Sequence, residues 1–162
     1  MGLDMYLKAK RKSQNKIAAA NAGTKLTGAC NGLFPIAPAD NGCDEIGYWR
    51  KAYDQRELIF DIVDDGYADF RKYTNCLDIL ITKDEVDMIL EGAEIKVANI
   101  EAAYEDWGKS VCPDFEHFGD WKSVSFTSHN YRKWKDTIRF FTKAKEFYAK
   151  YPDAEVYYEE WY

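Results

Sequence analysis

Apolar and polar residues alternate from the first residues of the chain. Leu3, Met5 and Leu7 fall on one side, and Asp4, Tyr6 and Lys8 on the other. That period of two predicts a half-buried strand over Met1 to Lys10, with the basic run Lys8 to Lys12 on its end and the following turn. The pattern then lapses over residues 13–44, where Asn15, Asn21, Gly23, Gly28, Asn31, Gly32, Pro35, Pro38, Asn41 and Gly42 crowd together. Roughly thirty irregular residues is long for a loop in a compact domain, and such loops tend to carry function or to move. Leu33, Phe34 and Ile36 are the side chains that can pin its middle to the body.

Alternation returns at Glu45–Lys51, with Ile46, Tyr48 and Arg50 pointing one way and Gly47, Trp49 and Lys51 the other. A helix follows over 52–64, with Leu58, Ile59, Ile62 and Val63 inward and Gly66 as its stop. Cys76 to Ile81 is a short apolar strand. Thr82 and Glu85 have the spacing of a capping box, in which each side chain bonds the other's amide. The helix they open steps by three or four through Val86, Ile89, Leu90, Ala93, Val97, Ile100, Ala103, Tyr104 and Trp107, and Gly108 should end it. Gly92 inside it costs up to about 1 kcal/mol relative to alanine, which a close helix crossing would explain. Ser123 to Ser128 reads as a polar-faced strand. A last helix over 130–150 has the stripe Tyr131, Trp134, Ile138, Phe141, Ala144, Lys145 and Tyr148. Ser128 or Asn130 can cap it, and Pro152 closes it. The aromatic run Ala154 to Tyr162 favours a final strand.

The order is β, long loop, β, α, β, α, β, α, β, without a glycine-rich phosphate loop or a repeat. It predicts a single α+β domain over 1–162: a mainly antiparallel sheet of about five strands, with three helices packed chiefly on one face. At 162 residues the chain is the size of one domain and large enough for an unstapled core.

The longest apolar runs fall short of the roughly 18 to 20 residues of a membrane span. Asp4 and the lack of an apolar stretch at the start argue against a signal peptide, and Tyr6 stands where a myristoylation signal wants Ser or Thr. A cytoplasmic protein is expected. Cys30, Cys43, Cys76 and Cys112 lack metal-ligand or redox spacing, as do His117 and His129. No metal and no cofactor is expected, and the thiols read as reduced.

The net charge of −6 conceals blocks of opposite sign: +5 over residues 1–30, −9 over 76–120 and +6 over 121–150. Such blocks either steer a charged partner or neutralise one another in the fold. The net charge argues against general nucleic-acid binding, despite the basic aromatic segment Tyr131-Arg132-Lys133-Trp134-Lys135. The acids Asp84, Asp87, Glu91, Glu94, Glu101 and Glu105 read either as a solvated helix face or as a mimic of nucleic acid.

Two segments resemble a family of small bacteriophage and prophage proteins that start MGLDMYL and continue with a GYWRKAN segment. They are Met1-Gly2-Leu3-Asp4-Met5-Tyr6-Leu7 and Glu45-Ile46-Gly47-Tyr48-Trp49-Arg50-Lys51-Ala52. Ser128-His129-Asn130-Tyr131 and the terminus Tyr157 to Trp161 resemble that family's later segments. Tyr53 departs from its usual Asn, and Glu57-Leu58-Ile59-Phe60 lacks the histidine its members carry there. The resemblance implies a phage or mobile-element setting rather than an activity.

Tyr48, Trp49, Arg50 and Lys51 join two aromatic faces to two cations, which is what a nucleotide or phosphate site needs. The same residues also suit a strand whose rings pack a helix while its cations snorkel. Asp4 and Tyr6 share the polar face of the first strand. If that strand neighbours the one bearing Tyr48, Asp4 can pair with Arg50 or Lys51, either as a buried pair in a cleft, which is a site candidate, or as a routine cross-strand ion pair on an exposed face. His129 sits near a helix start, where it suits phosphate binding, acid–base work or capping. No nucleophile–base arrangement accompanies it. The expected function is therefore that of a non-enzymatic phage accessory protein, with counter-defence among its roles. It would bind and sequester or block a nucleotide-like small molecule or a host defence protein through Asp4, Tyr6, Tyr48, Trp49, Arg50, Lys51 and His129. An enzyme acting on a phosphorylated small molecule and a structural or assembly protein are the alternatives, and a homo-oligomer is compatible with all three.

Overall fold

The computed structural model describes residues 2–11, 43–63, 78–111 and 130–161. Among them the fold is α+β. Strands β1 (Asp4–Arg11), β2 (Cys43–Arg50), β3 (Ile79–Ile81) and β4 (Ala154–Trp161) form one sheet in the order β2-β1-β4-β3, with every pair antiparallel. The helices are α1 (Tyr53–Val63), α2 (Lys83–Ala103) and α3 (Asn130–Lys150). The strand expected over 123–128, the stop at Gly66, Ser128 and most of the 13–44 stretch lie outside the described residues. Cys43 and Asp44, expected as the end of that loop, belong to β2.

Period-two alternation builds the sheet as read. Leu3, Met5, Leu7 and Ala9 are buried, and Val156 and Tyr158 stand beside Ala9 and Leu7 on the same face. A bulge opposite Leu7 and Lys8 leaves Ile46 without a partner on β1, and its side chain packs against the core cluster. Ile46 therefore departs from the side it was expected to share with Tyr48 and Arg50.

Side chains from all three helices pack against these apolar sheet residues. Ile59 and Phe60 of α1, Val86, Ile89 and Leu90 of α2, and Phe140, Phe141 and Ala144 of α3 join the sheet residues in one cluster. The α1 stripe is rotated from the expected one. Phe60 and Gln55 are buried, whereas Leu58, Ile62 and Val63 only flank the cluster. Gln55 Nε2 donates to Asn130 Oδ1 at 3.0 Å, which ties the first turns of α1 and α3. Asn130 is thus spent on α1. The Tyr148 hydroxyl donates to Ile81 O at 2.6 Å and accepts from Val156 N at 3.2 Å, fastening α3 to β3 and β4.

The capping box forms. Thr82 N donates to Glu85 Oε2 at 2.5 Å, and Glu85 N donates to Thr82 Oγ1 at 3.3 Å. Gly92 marks the expected crossing, because a Cβ there would stand 2.8 Å from Leu58 Cδ1. Gly108 does not end the helix. It is buried, and the chain runs through a π turn, Tyr104–Gly108, into one more α turn, Lys109–Val111. The Lys109 amide reaches back five residues to Tyr104 O, so this glycine extends the helix instead of capping it. Trp107, expected inward, is 38% exposed, and Lys145 leaves the α3 stripe to pair with Asp87 at 2.7 Å.

Candidate functional site on the polar sheet face

The second face of β1 and β2 brings the candidate residues together. Register places Tyr48 opposite Tyr6 and Arg50 opposite Asp4. The tyrosine rings are tilted by 44° with centroids 5.2 Å apart, the separation of a cross-strand aromatic pair. The Tyr48 hydroxyl donates to Asp4 Oδ1 at 2.8 Å. Arg50 Nε stands 3.7 Å from that same oxygen, close enough for charge attraction but beyond hydrogen-bond distance. The pairing of Asp4 with Arg50 is thus a loose one, on side chains 34% and 68% exposed. Such a pair adds little to stability, and the guanidinium keeps its donors facing water.

Tyr48 responds to these neighbours. Partial burial, the bond to Asp4 and the Asp4 charge together push its phenol up to about 12. Tyr6 is raised too, first by burial and then by the charges of Asp4, Glu45 and Glu159. Both phenols are neutral donors throughout the physiological range.

Lys51 leaves the strand in a left-handed conformation, φ 54°, which side chains other than glycine adopt rarely. Two bonds hold it there. Its amide donates to Leu3 O at 2.7 Å, and its carbonyl accepts from Lys133 Nζ at 2.7 Å. The turn brings Lys51 beside Arg50. A Cβ built on Gly2 would lie 3.7 Å from Lys51 Cε and 3.8 Å from Arg50 Nε, so both cations flank the bare backbone of Gly2.

Further along the same face, Lys8 forms an ion pair with Glu159, and Lys10 lies over the Tyr157 ring at 4.2 Å. These cations are engaged by strand neighbours more closely than Arg50 is by Asp4.

Trp49 stands apart from the group it was expected to join. Period two turns it to the opposite face, 3% exposed, edge-on to Phe140 at 4.8 Å. Its Nε1 donates to Thr137 Oγ1 at 3.0 Å. It therefore packs the core and supports β2 from behind. His129 and His117 lie outside the described residues, as do Cys30, Cys76 and Cys112. Among the described residues no cluster of His, Cys, Asp and Glu is placed to hold a metal, and no helix is long and apolar enough to cross a membrane.

The basic aromatic segment of α3 is also dispersed. Trp134 is buried, Lys133 is bound to the Lys51 carbonyl, and the Tyr131 hydroxyl donates to Glu101 Oε1 at 2.9 Å. Its rings are not free to stack on bases. The acidic face of α2 is partly consumed as well, since Asp87 pairs with Lys145 and Glu101 accepts from Tyr131.

Sequence reasoning missed a buried ionic group. Glu160 is fully buried, and Arg56 Nε and Nη2 grip its two carboxylate oxygens at 2.7 and 2.9 Å. The Tyr158 hydroxyl adds a third bond at 3.0 Å. The signal was present in Glu159-Glu160. Two adjacent acids in a strand point to opposite faces, so one of them meets the core.

No family model, no curated protein and no solved structure matches the chain.

Proposed function

We propose that this chain is a non-enzymatic accessory protein of a phage or mobile element that works by binding. It holds a nucleotide-like small molecule of the host on the β1–β2 face and so withholds it. The observation that carries the reading is the Tyr6–Tyr48 ring pair set beside Arg50, whose guanidinium stays largely in solvent. A ring offers a stacking face to a base, and a guanidinium offers paired donors to a phosphate. Lys51, held beside Arg50 at Gly2, adds a second cation. Asp4 supplies an acceptor for an amino or hydroxyl group of the ligand. The helices are taken to pack chiefly on the other face, leaving this one for the ligand. The 13–44 stretch, whose bulk lies outside the described residues, completes the proposal as a lid or partner-binding arm.

The second reading, a host defence protein as the occupant, draws on residue type. Half-exposed Tyr48 and exposed Arg50 on a strand pair are what the energetic centres of protein interfaces are made of. Catalysis is the less favoured alternative, because Asp4 Oδ1 is already engaged by the Tyr48 hydroxyl.

Native mass spectrometry of the protein purified from host cells tests the reading. A nucleotide-sized excess mass, lost on denaturation and absent from an Arg50→Ala, Tyr48→Ala protein of unchanged stability, is the expected result. A bare chain mass would remove the small-molecule reading. A stable excess of protein size, absent from the same variant, would establish the second one. Binding and phage phenotype both intact in the variant would exclude this face.

A further inference from the structure

We infer that two copies of this chain associate through the outer faces of α2 and α3, each α2 lying on the partner's α3. The inference is independent of the β1–β2 face. Over Lys83–Ala103, α2 carries six acids against two bases, a balance of −4. Over Asn130–Lys150, α3 carries seven bases against two acids, a balance of +5. These two helices of opposite charge pack side by side.

Their mutual contacts use only part of that charge. Asp87 is tied to Lys145 and Glu101 to Tyr131, so the helices run antiparallel in one register. Each step along α2 is matched by a step back along α3, which sets Glu91 level with Phe141 and Glu94 level with Ile138. Glu91, Glu94, Lys135, Arg139 and Lys143 are all exposed. Among the described residues Glu91, Glu94 and Lys135 have no ion-pair partner, and Lys143 meets only the Phe140 ring at 6.0 Å. Arg139 pairs within its own helix, to Asp136 at 2.8 Å. Met88 and Ile95, two turns apart on α2, are 54% and 53% exposed among these acids.

A two-fold axis parallel to the helices and between them lays each α2 over the partner's α3 without changing level. Glu91 then falls between Arg139 and Lys143 of the second copy, and Glu94 between Lys135 and Arg139. Met88 and Ile95 come to rest on the aliphatic stems of those bases. The same contact occurs twice, as a closed two-fold dimer requires. A 21-residue helix is about 32 Å long. Two of them side by side offer a face of about 600 Å² per copy, at the lower end of a stable interface. Attraction that rests on exposed charge weakens with salt.

Sedimentation velocity of the full chain tests this, with a charge-swapped pair of variants. The wild type should be a dimer that weakens as salt rises. Glu91→Lys, Glu94→Lys should be a monomer, as should Lys135→Glu, Lys143→Glu. Mixed in equal amounts, the two variants should form a dimer again, because both of its contacts regain opposite charges, and this recovery also shows that each variant is folded. A wild type that stays monomeric at low salt up to about 1 mM overturns the inference. So does a variant that dimerises like the wild type, a mixture that stays monomeric, or a species larger than the dimer.

Discussion

Arg56 and Glu160 lie 104 residues apart in sequence and meet through two parallel hydrogen bonds on the core side of the sheet. Glu160 stands opposite Met5 in the register of β4 and β1, where an apolar residue would be ordinary. A buried carboxylate without a counter-charge is heavily penalised. The pair therefore acts as a unit, and α1 is drawn to the end of β4 by it.

Removing one partner should be far worse than removing both. Arg56→Met is expected to cost about 3 to 5 kcal/mol by leaving the Glu160 charge unpaired. Arg56→Met together with Glu160→Leu should recover most of that loss. Urea denaturation of the four proteins in the cycle gives the coupling. Equal, additive losses would show that the two residues act separately.

Gly47 admits Phe140 onto β2. A Cβ at that position would stand 2.5 Å from Phe140 Cγ, closer than any relaxed contact. Gly47→Ala should therefore destabilise the fold by about 1 to 3 kcal/mol, the usual cost of overpacking. Phe140→Leu in the same chain should be less harmful than it is alone, because the ring is what the new methyl group strikes. Thermal melts of the single and double variants measure this.

Thr137 holds Trp49 from behind the candidate site. Its hydroxyl donates to Lys133 O at 2.8 Å and accepts from Trp49 Nε1 at 3.0 Å. Thr137→Val keeps the shape and deletes the acceptor, leaving a buried indole N–H unpaired at a cost of about 1 to 3 kcal/mol. Denaturation monitored by tryptophan fluorescence reads the loss. Ligand binding on the opposite sheet face should survive it wherever the protein stays folded.

Tyr48 makes the fold sensitive to strong alkali. Its folded phenol sits at about 12 against an ordinary 10.0. Between those values the unfolded chain gives up this proton first, so stability is full below pH 10 and falls as pH rises toward 12. Asp4→Ala removes both the acceptor and the charge, and it should bring this phenol down. A difference titration of phenolate absorbance between wild type and Asp4→Ala should show Tyr48 ionising earlier, and Tyr6 as well, because the Asp4 charge raises both phenols. Superimposable curves would mean that Asp4 does not hold Tyr48.

Much of the candidate site is legible in the sequence. Alternation alone put Asp4 beside Tyr6 in facing and Tyr48 beside Arg50. It also separated Trp49 from Tyr48, a consequence that outweighs their shared aromatic character. The strand pairing that brings Tyr48 to Tyr6 is only a condition at the level of sequence, because the two lie more than forty residues apart and no local period links them. The left-handed Lys51 leaves no trace in composition, since its backbone is held by Leu3, just before β1, and by Lys133 of α3.

Local chemistry was enough for the strand faces of β1, the capping box at Thr82 and the crossing at Gly92. Each depends on residues within a few positions of one another, or on the absence of one side chain. Which polar groups enter the core was beyond its reach. Gln55, Thr137 and Glu160 are fully buried, and each finds its partner from 75 to 104 positions away. A polar side chain becomes tolerable inside only when a partner arrives to replace its water. That arrival is a property of the assembled layers, so no period along the chain can announce it.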